Sequence, residues 1–185
     1  MRKLRRDEIV DYATWAEDVK PSVADEVMEA KALRRLRIPP SFTFLIENAL
    51  TIRWQVQEMM RVERIVKEAA IQHEIDTYNG LIGDSGEVGC TLLIEIPDRA
   101  ERDEKLPSWL SLLDHLFAEL EDGTRVKPRF DPMQVGEERL ASVQYLRFDT
   151  KGQVPVALVS EFPAHPGRVE LSEAQRAALA ADLAS

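Results

Sequence analysis

The sequence predicts an α+β fold, with a mostly antiparallel sheet, helices packed on it, an N-terminal helical segment and a C-terminal helix. In the first half of the chain apolar residues recur at helical spacing, and after residue 123 they alternate as they do in strands. Helices and strands follow one another without the regular βαβ order of a parallel sheet. A chain of 185 residues, 44% apolar and 31% charged, suits one domain. We expect a helical segment over 1–40, packed on or extending from an α+β body over 41–185.

Two helices are expected near the N-terminus. Residues 7–18 carry acids in their first turn, and Pro21 is expected to end this helix. Residues 22–36 form the second helix, because their basic residues lie in the last turn, where the helix dipole favours them. Pro39 and Pro40 are expected to end it.

The longest helical pattern covers residues 51–70. At about 100° per residue, Ile52, Val56 and Met59 fall on one face of this helix. Glu63 falls on the same face, where an acid needs a partner or a function. This helix is therefore the first place to look for a site.

The rest of the chain supplies the strands and the last helices. Helical structure continues over 71–78, and an amphipathic helix is predicted over 107–121. Residues 149–153 are typical of a hairpin loop, and Ser172 and Gln175 form a capping box that begins the C-terminal helix. Alternating or β-branched patterns predict strands over 41–47, 90–96, 125–130, 142–148, 154–162 and 168–171.

Composition excludes several classes of function. The net charge of −9 opposes binding to nucleic acid, which requires a basic surface. No apolar run approaches the roughly 20 residues of a membrane span, and no apolar region follows the basic start. A single cysteine, Cys90, excludes an internal disulfide framework and fits a reducing cytoplasm. We therefore expect a cytoplasmic protein without nucleic-acid or membrane partners, for which a homodimer is compatible with the size.

A polar cluster surrounds the acid of the central helix. Glu58 and Glu63 are the candidate catalytic residues, as general acid or base, since burial would raise the pKa of a carboxyl there. The candidate ligand-binding residues have amide or guanidinium groups that suit an anion: Gln55, Gln57, Arg61 and Arg64. The structural alternative is that Glu63 accepts a salt bridge from another helix, for example from Arg34 or Arg35, and fixes the packing.

Metal binding is the other chemistry considered. His115 and Glu119 have the i, i+4 spacing of helical metal ligands but lie on the polar face of their predicted helix. His73 could join them with nearby acids. No short motif joins these residues, so we predict no cofactor, and His73, His115 and Glu119 stay candidates for a metal ion. Cys90 begins a predicted interior strand and is expected to be a buried, inert thiol.

The segment ENALTIRWQVQEMMRVERI, followed by EAAIQHEIDTYNGLI and SVQYLRF, resembles an uncharacterised bacterial family, a domain of unknown function of about this length. The most specific part is the motif Gln-x-Gln-Glu-Met-x-Arg-x-Glu-Arg, which begins here at Gln55 and ends at Arg64. The resemblance covers nearly the whole chain. It implies a fold and a motif but no reaction, and it associates the chain with neighbourhoods of rubrerythrin-like and iron–sulfur oxidoreductase proteins.

Two functions are compatible with these residues. The first is an accessory protein, in a redox or oxidative-stress context, that binds a partner protein or a small anionic ligand through the cluster on the helix at 51–70. The second is an acid/base or metal-dependent enzyme that uses Glu63 or Glu58. An enzyme would show a concave pocket with its acid pointing inward, whereas a binding module would show Arg61 and Arg64 on an open face.

Overall fold

The computed structural model describes residues 1–185 and has two antiparallel sheets. The strands, in chain order, are β1 (Arg35–Ile38), β2 (Phe42–Ile46), β3 (Glu87–Ile94), β4 (Leu116–Glu119), β5 (Arg125–Val126), β6 (Pro128–Arg129), β7 (Val143–Asp149), β8 (Ala157–Ser160) and β9 (Gly167–Glu170). The main sheet has the order β1-β2-β3-β7-β6 and the second sheet the order β5-β4-β8-β9.

The helices lie at both ends of the chain and between the strands. They are α1 (Tyr12–Thr14), α2 (Lys20–Ala32), α3 (Ala49–Glu63), α4 (Glu68–Asn79), α5 (Arg99–Ser108) and α6 (Glu173–Ala184), with a π turn, Trp15–Val19, between α1 and α2. The predicted α+β fold, with N-terminal and C-terminal helices, is confirmed. No helix combines the length and apolar content that crossing a membrane requires.

The larger hydrophobic core lies between the two sheets. Alternate residues of β2, namely Phe42, Phe44 and Ile46, point into it from the main sheet, and Leu116 and Ala118 of β4 are among those that meet them from the second sheet. This alternation follows from the strand period of two residues. The opposite, outer face of the main sheet therefore presents the residues in between.

A smaller core joins α3, α4 and the N-terminal segment. Ile52, Val56 and Met60 of α3 are at most 1% exposed and pack with Ile75 of α4 and Leu4. The buried stripe of α3 thus includes Met60, whereas Glu63 lies outside it. These helices cover one end of the outer face of the main sheet.

Three predicted helix boundaries are wrong. Pro21 does not break the N-terminal helix, because α1, the π turn and α2 follow one another without interruption, and Pro21 lies in α2 directly after the π turn. The second helix ends at Ala32, and residues 35–38 form a strand with alternating burial, so the N-terminal segment contributes β1 to the main sheet. The central helix ends at Glu63, since Arg64 is in the left-handed conformation, with φ 53°.

The helix predicted over 107–121 is also wrong. The chain has α5 before this segment, then a 3₁₀ turn, Leu112–His115, and then β4. Its apolar residues fit both periods over a short run, and contact with the second sheet selects the strand. The hairpin predicted around 149–153 is wrong as well, because β7 and β8 belong to different sheets. The capping box is confirmed, as the Gln175 N–H donates to Ser172 Oγ at 3.3 Å.

Candidate functional site

A groove lies between the outer face of the main sheet and the helices that partly cover it. Strand register places Arg35, Leu45, Thr91 and Tyr145 side by side across β1, β2, β3 and β7. Residues of α2, α3 and α4 line the other side, and the cavity between them measures about 360 Å³. This volume is within the range of small-molecule sites.

The lining of the groove combines an apolar floor with a few polar groups. The aliphatic side chains come from both sides: Leu45, Ile52, Leu81, Leu93 and Val143. Two tyrosines, Tyr78 and Tyr145, also line it. The remaining polar lining residues are Lys31, Arg35, Glu47, Thr51, Gln55 and Thr91.

Glu47 is the buried acid of this groove. It follows β2 directly and is 6% exposed. The Thr51 hydroxyl donates to its Oε2 and the Thr91 hydroxyl donates to its Oε1, both at 2.6 Å. Burial raises the pKa of Glu47, although these hydrogen bonds and the charge of Lys31 act to lower it.

Two cations line the same groove without an ion pair. Neither Lys31 nor Arg35 has a carboxylate oxygen within 4.0 Å, the distance that defines a salt bridge. The Lys31 ammonium lies 5.7 Å from the ring centre of Trp54, in cation–π geometry. Burial lowers the pKa of Lys31, and the nearby charge of Arg35 acts in the same direction.

Glu47 differs from the other buried charges of the chain. Arg34, 8% exposed, forms a two-point ion pair with Asp182 at 2.8 and 2.9 Å. Glu87, 3% exposed, is paired with Arg129. Glu47 accepts hydrogen bonds from hydroxyl groups, but no cationic group contacts it. A buried charge without an ionic partner is costly, so the fold keeps Glu47 at the expense of stability.

Tyr145 separates this groove from a second cavity of about 330 Å³, which it also lines together with Leu81. The side-chain amide of Gln134 holds the backbone of Tyr145 from both sides. Its Nε2 donates to the Tyr145 carbonyl at 2.9 Å, and its Oε1 accepts from the Tyr145 N–H at 2.8 Å. The rim of the groove is thus fixed by a loop.

The polar cluster predicted on the central helix lies mostly outside this groove. Most of its side chains form hydrogen bonds with other parts of the chain. Gln57 is fully buried, and its amide makes two hydrogen bonds with the backbone of Val10, at 2.8 and 3.1 Å. Glu58 accepts from Trp15 Nε1 at 2.8 Å and from Lys20 Nζ at 2.9 Å. These contacts attach the N-terminal segment and α2 to α3.

Arg61 completes the pairing of Glu58, with hydrogen bonds at 3.2 and 3.0 Å. Burial would raise the pKa of Glu58, but the hydrogen bonds from Arg61, Trp15 and Lys20 outweigh it and lower this pKa to about 2. The pKa of Arg61 is raised in turn by its hydrogen bond to Glu58. Glu58 is therefore held as an ionised structural anion.

The remaining residues of the predicted cluster, Glu63, Arg64 and Gln55, do not lie together in one site. Glu63 and Arg64 are exposed, and neither forms a hydrogen bond with its side chain or an ion pair, so the proposed bridge from Arg34 or Arg35 to Glu63 is absent. Gln55 is the one member of the predicted set that lines the groove with Glu47.

The candidate metal ligands are not brought together. His73 is exposed on α4, His115 ends the 3₁₀ turn, and Glu119 lies on β4, where it accepts from Arg168 at 2.8 Å and from Arg125 at 3.2 Å. No group of three or more His, Cys, Asp or Glu in the chain could hold a metal ion. Cys90 is buried, and burial raises its pKa.

Sequence reasoning missed Glu47, Lys31 and Arg35. A signal for Glu47 was present, because Leu45 is apolar on the face opposite Phe44, which indicates that both faces of β2 are covered. Glu47 is the next residue on that second face. The two cations carried no such signal, since they meet it only through strand pairing and helix packing.

The chain matches, over residues 3–183, a family described as "Protein of unknown function (DUF3501)". A crystal structure of a novel protein of unknown function from Burkholderia pseudomallei K96243 has the same fold, with a TM-score of 0.85 and 24% sequence identity, covering 99% of this chain and 98% of that chain. At that identity the likeness concerns the fold alone. No curated protein matches the chain. The expected kinship with an uncharacterised family is confirmed, and the chain belongs to the DUF3501 family of proteins of unknown function.

Proposed function

We propose that this protein binds a small organic anion in the groove on the outer face of the main sheet. The anionic group lies between Lys31 and Arg35, and the apolar part of the ligand packs against Leu45 and Leu93. The observation that carries the proposal is that two cations without ion pairs line one cavity with an apolar floor.

The charge distribution supports an anion as the ligand. The chain has a net charge of −9, and most of its arginines are occupied by carboxylates, so unpaired cations in a concave site are unusual here. A guanidinium binds a carboxylate or phosphate through two parallel hydrogen bonds. Lys31 is half-buried, which strengthens its interaction with an anion relative to that of an exposed lysine, whereas Arg35 is exposed at the edge of the groove.

The test is calorimetric titration of the full chain with hexanoate. We expect binding to wild-type protein and a loss of at least about tenfold in affinity for Lys31→Gln and for Arg35→Gln, the effect of one hydrogen bond to a charged group. Arg64→Gln is the matched control, because it removes an exposed arginine outside the groove.

Retained affinity in both groove variants, together with a loss in Arg64→Gln, would instead assign the anion to the motif on α3. Hexanoate binding that survives in all three variants would refute the assignment of the charged contacts.

An acid/base enzyme is the second candidate, with Glu47 in the role first considered for Glu63 or Glu58. It is favoured by one observation: burial moves the pKa of Glu47 upward and that of Lys31 downward within the same cavity. Both shifts move the pKa toward the neutral range, in which a general acid or base is most effective. The metal-dependent form of this alternative has no cluster of ligands to support it.

We infer a cytoplasmic setting, in which Cys90 stays a reduced, buried thiol. An accessory role in a redox or oxidative-stress system is what the family resemblance suggests. In that role the chain would act through its ligand or a partner protein. Its single cysteine, Cys90, is buried and the pKa of its thiol is raised, so the thiol is unsuited to redox chemistry.

A further inference from the structure

We infer that the ligand of the groove is a zwitterion, whose ammonium group binds Glu47 while its anionic group binds Lys31 and Arg35. The inference rests on the proposed function, since it names the chemical class of the anion. A free amino acid is the simplest molecule of this class.

The first argument is the pairing of buried charge. Arg34 and Glu87 each have an ionic partner from the chain, and Glu47 has none although it is equally buried. Its two oxygens are oriented by the hydroxyl groups of Thr51 and Thr91, which donate to them. Donors favour the ionised carboxylate, and each oxygen keeps a second lone pair for a further hydrogen bond.

The second argument concerns which cation can approach. Lys31 lines the same cavity, but its ammonium makes no hydrogen bond with Glu47 and lies over Trp54. A metal ion would lack ligands, because Glu47 is the only carboxylate in the lining, which contains no histidine or cysteine. An organic ammonium needs only one carboxylate and neighbouring hydroxyl oxygens.

The third argument is the spacing of the charges. Arg35 is the cross-strand neighbour of Leu45, and Glu47 directly follows β2, two residues after Leu45, which is about 7 Å in extended chain. The residues Arg35 and Glu47 therefore lie a short distance apart on the same face of the sheet, and Lys31 lines the cavity with both of them. A compact molecule with both charges can contact all three, while Ile52 and Leu81 offer an apolar surface for its side chain.

The experiment compares three probes of equal carbon number in calorimetric titrations: norleucine, hexanoate and hexylamine. Norleucine carries both charges, hexanoate only the negative charge and hexylamine only the positive charge. In wild-type protein we expect norleucine to bind at least about tenfold more tightly than hexanoate, the gain from one charged hydrogen bond. In Glu47→Gln this advantage of norleucine over hexanoate disappears.

The outcomes separate the two proposals. Equal affinities for norleucine and hexanoate in wild-type protein would overturn the zwitterion and leave anion binding intact. Absence of binding by norleucine and hexanoate at millimolar concentration, or binding of hexylamine alone, would overturn the proposed function itself. The ranking in wild-type protein decides the matter, so the result does not depend on how well Glu47→Gln folds.

Discussion

Two polar regions of this molecule contain a carboxylate near cations, and they are built in opposite ways. Around Glu58, every charge has a partner within the chain: Trp15, Lys20 and Arg61 all bind the same carboxylate. In the groove, Glu47 and Lys31 face the same cavity without touching. The first region carries the most distinctive motif of the sequence, and the second was not recognised from the sequence.

The difference shows what complete internal pairing means. Glu58 accepts four hydrogen bonds, one each from Trp15 and Lys20 and two from Arg61, so all of its lone pairs are used and none is left for a ligand. The motif on α3 therefore serves mainly to attach the N-terminal segment. Unpaired charges in a cavity cost stability and are retained where function requires them. The following variants break or sharpen this comparison.

The largest effect is expected from Gln57→Leu. The fully buried amide of Gln57 satisfies both backbone groups of the partly buried Val10, and its loss leaves these two groups without a partner. We expect the free energy of unfolding to fall by about 2–4 kcal/mol, measured by denaturant titration. Gln55→Leu is the matched control, because Gln55 lines the open groove, and its change should stay within about 0.5 kcal/mol. Equal effects of the two variants would contradict a structural role specific to Gln57.

The next effect depends on pH and belongs to Glu58. Its folded pKa, about 2, is below the ordinary value of 4.5, so its contribution is present above pH 4.5 and is lost as pH falls toward 2. Glu58→Gln should lower the free energy of unfolding at neutral pH by about 2–3 kcal/mol and approach wild type in acid. The control is Glu63→Gln on the same helix, whose exposed carboxyl has no partner. If the free energy of unfolding of Glu58→Gln stays below that of the wild type by the same amount at low pH, the loss of the ion pairs is not the cause.

The smallest effect, of opposite sign, is expected from Glu47→Gln. Burial raises the folded pKa of Glu47 above 4.5, so folding is favoured below this value and loses stability as pH rises through the folded pKa. Glu47→Gln has no charge to bury at this position. Its free energy of unfolding should therefore rise relative to that of the wild type as pH increases. The gain should reach about 1.4 kcal/mol for each unit by which the pKa is raised. A variant that is less stable than wild type at neutral pH would indicate that Glu47 is a structural anion after all.

The fold class could be predicted because local patterns determine it. The strands predicted over 41–47 and 90–96 and the capping box of Ser172 are confirmed. Between 107 and 121, by contrast, Leu110, Leu113 and Phe117 follow the helical period, and the alternation of Leu116 and Ala118 covers only a short run. There the second sheet, which the sequence does not reveal, decides the outcome.

The site was less predictable for a related reason. Glu63 was expected in the interior of a helix that continues to residue 70, but it is the last residue of α3, because the left-handed Arg64 ends the helix, and its side chain is exposed there. Glu47, Lys31 and Arg35 come from three elements whose relative position depends on strand register and helix packing. Such convergence has no signature in a single sequence.

The two hydrogen bonds between the Gln134 side chain and the Tyr145 backbone also affect association between molecules. Beyond the short β6, the edge of β7 would expose a backbone N–H and carbonyl, the groups through which sheets add strands from other chains. The amide of Gln134 occupies both groups at Tyr145, at 2.8 and 2.9 Å. A single side chain thus blocks edge-to-edge aggregation at this point of the main sheet and leaves the groove beside it accessible.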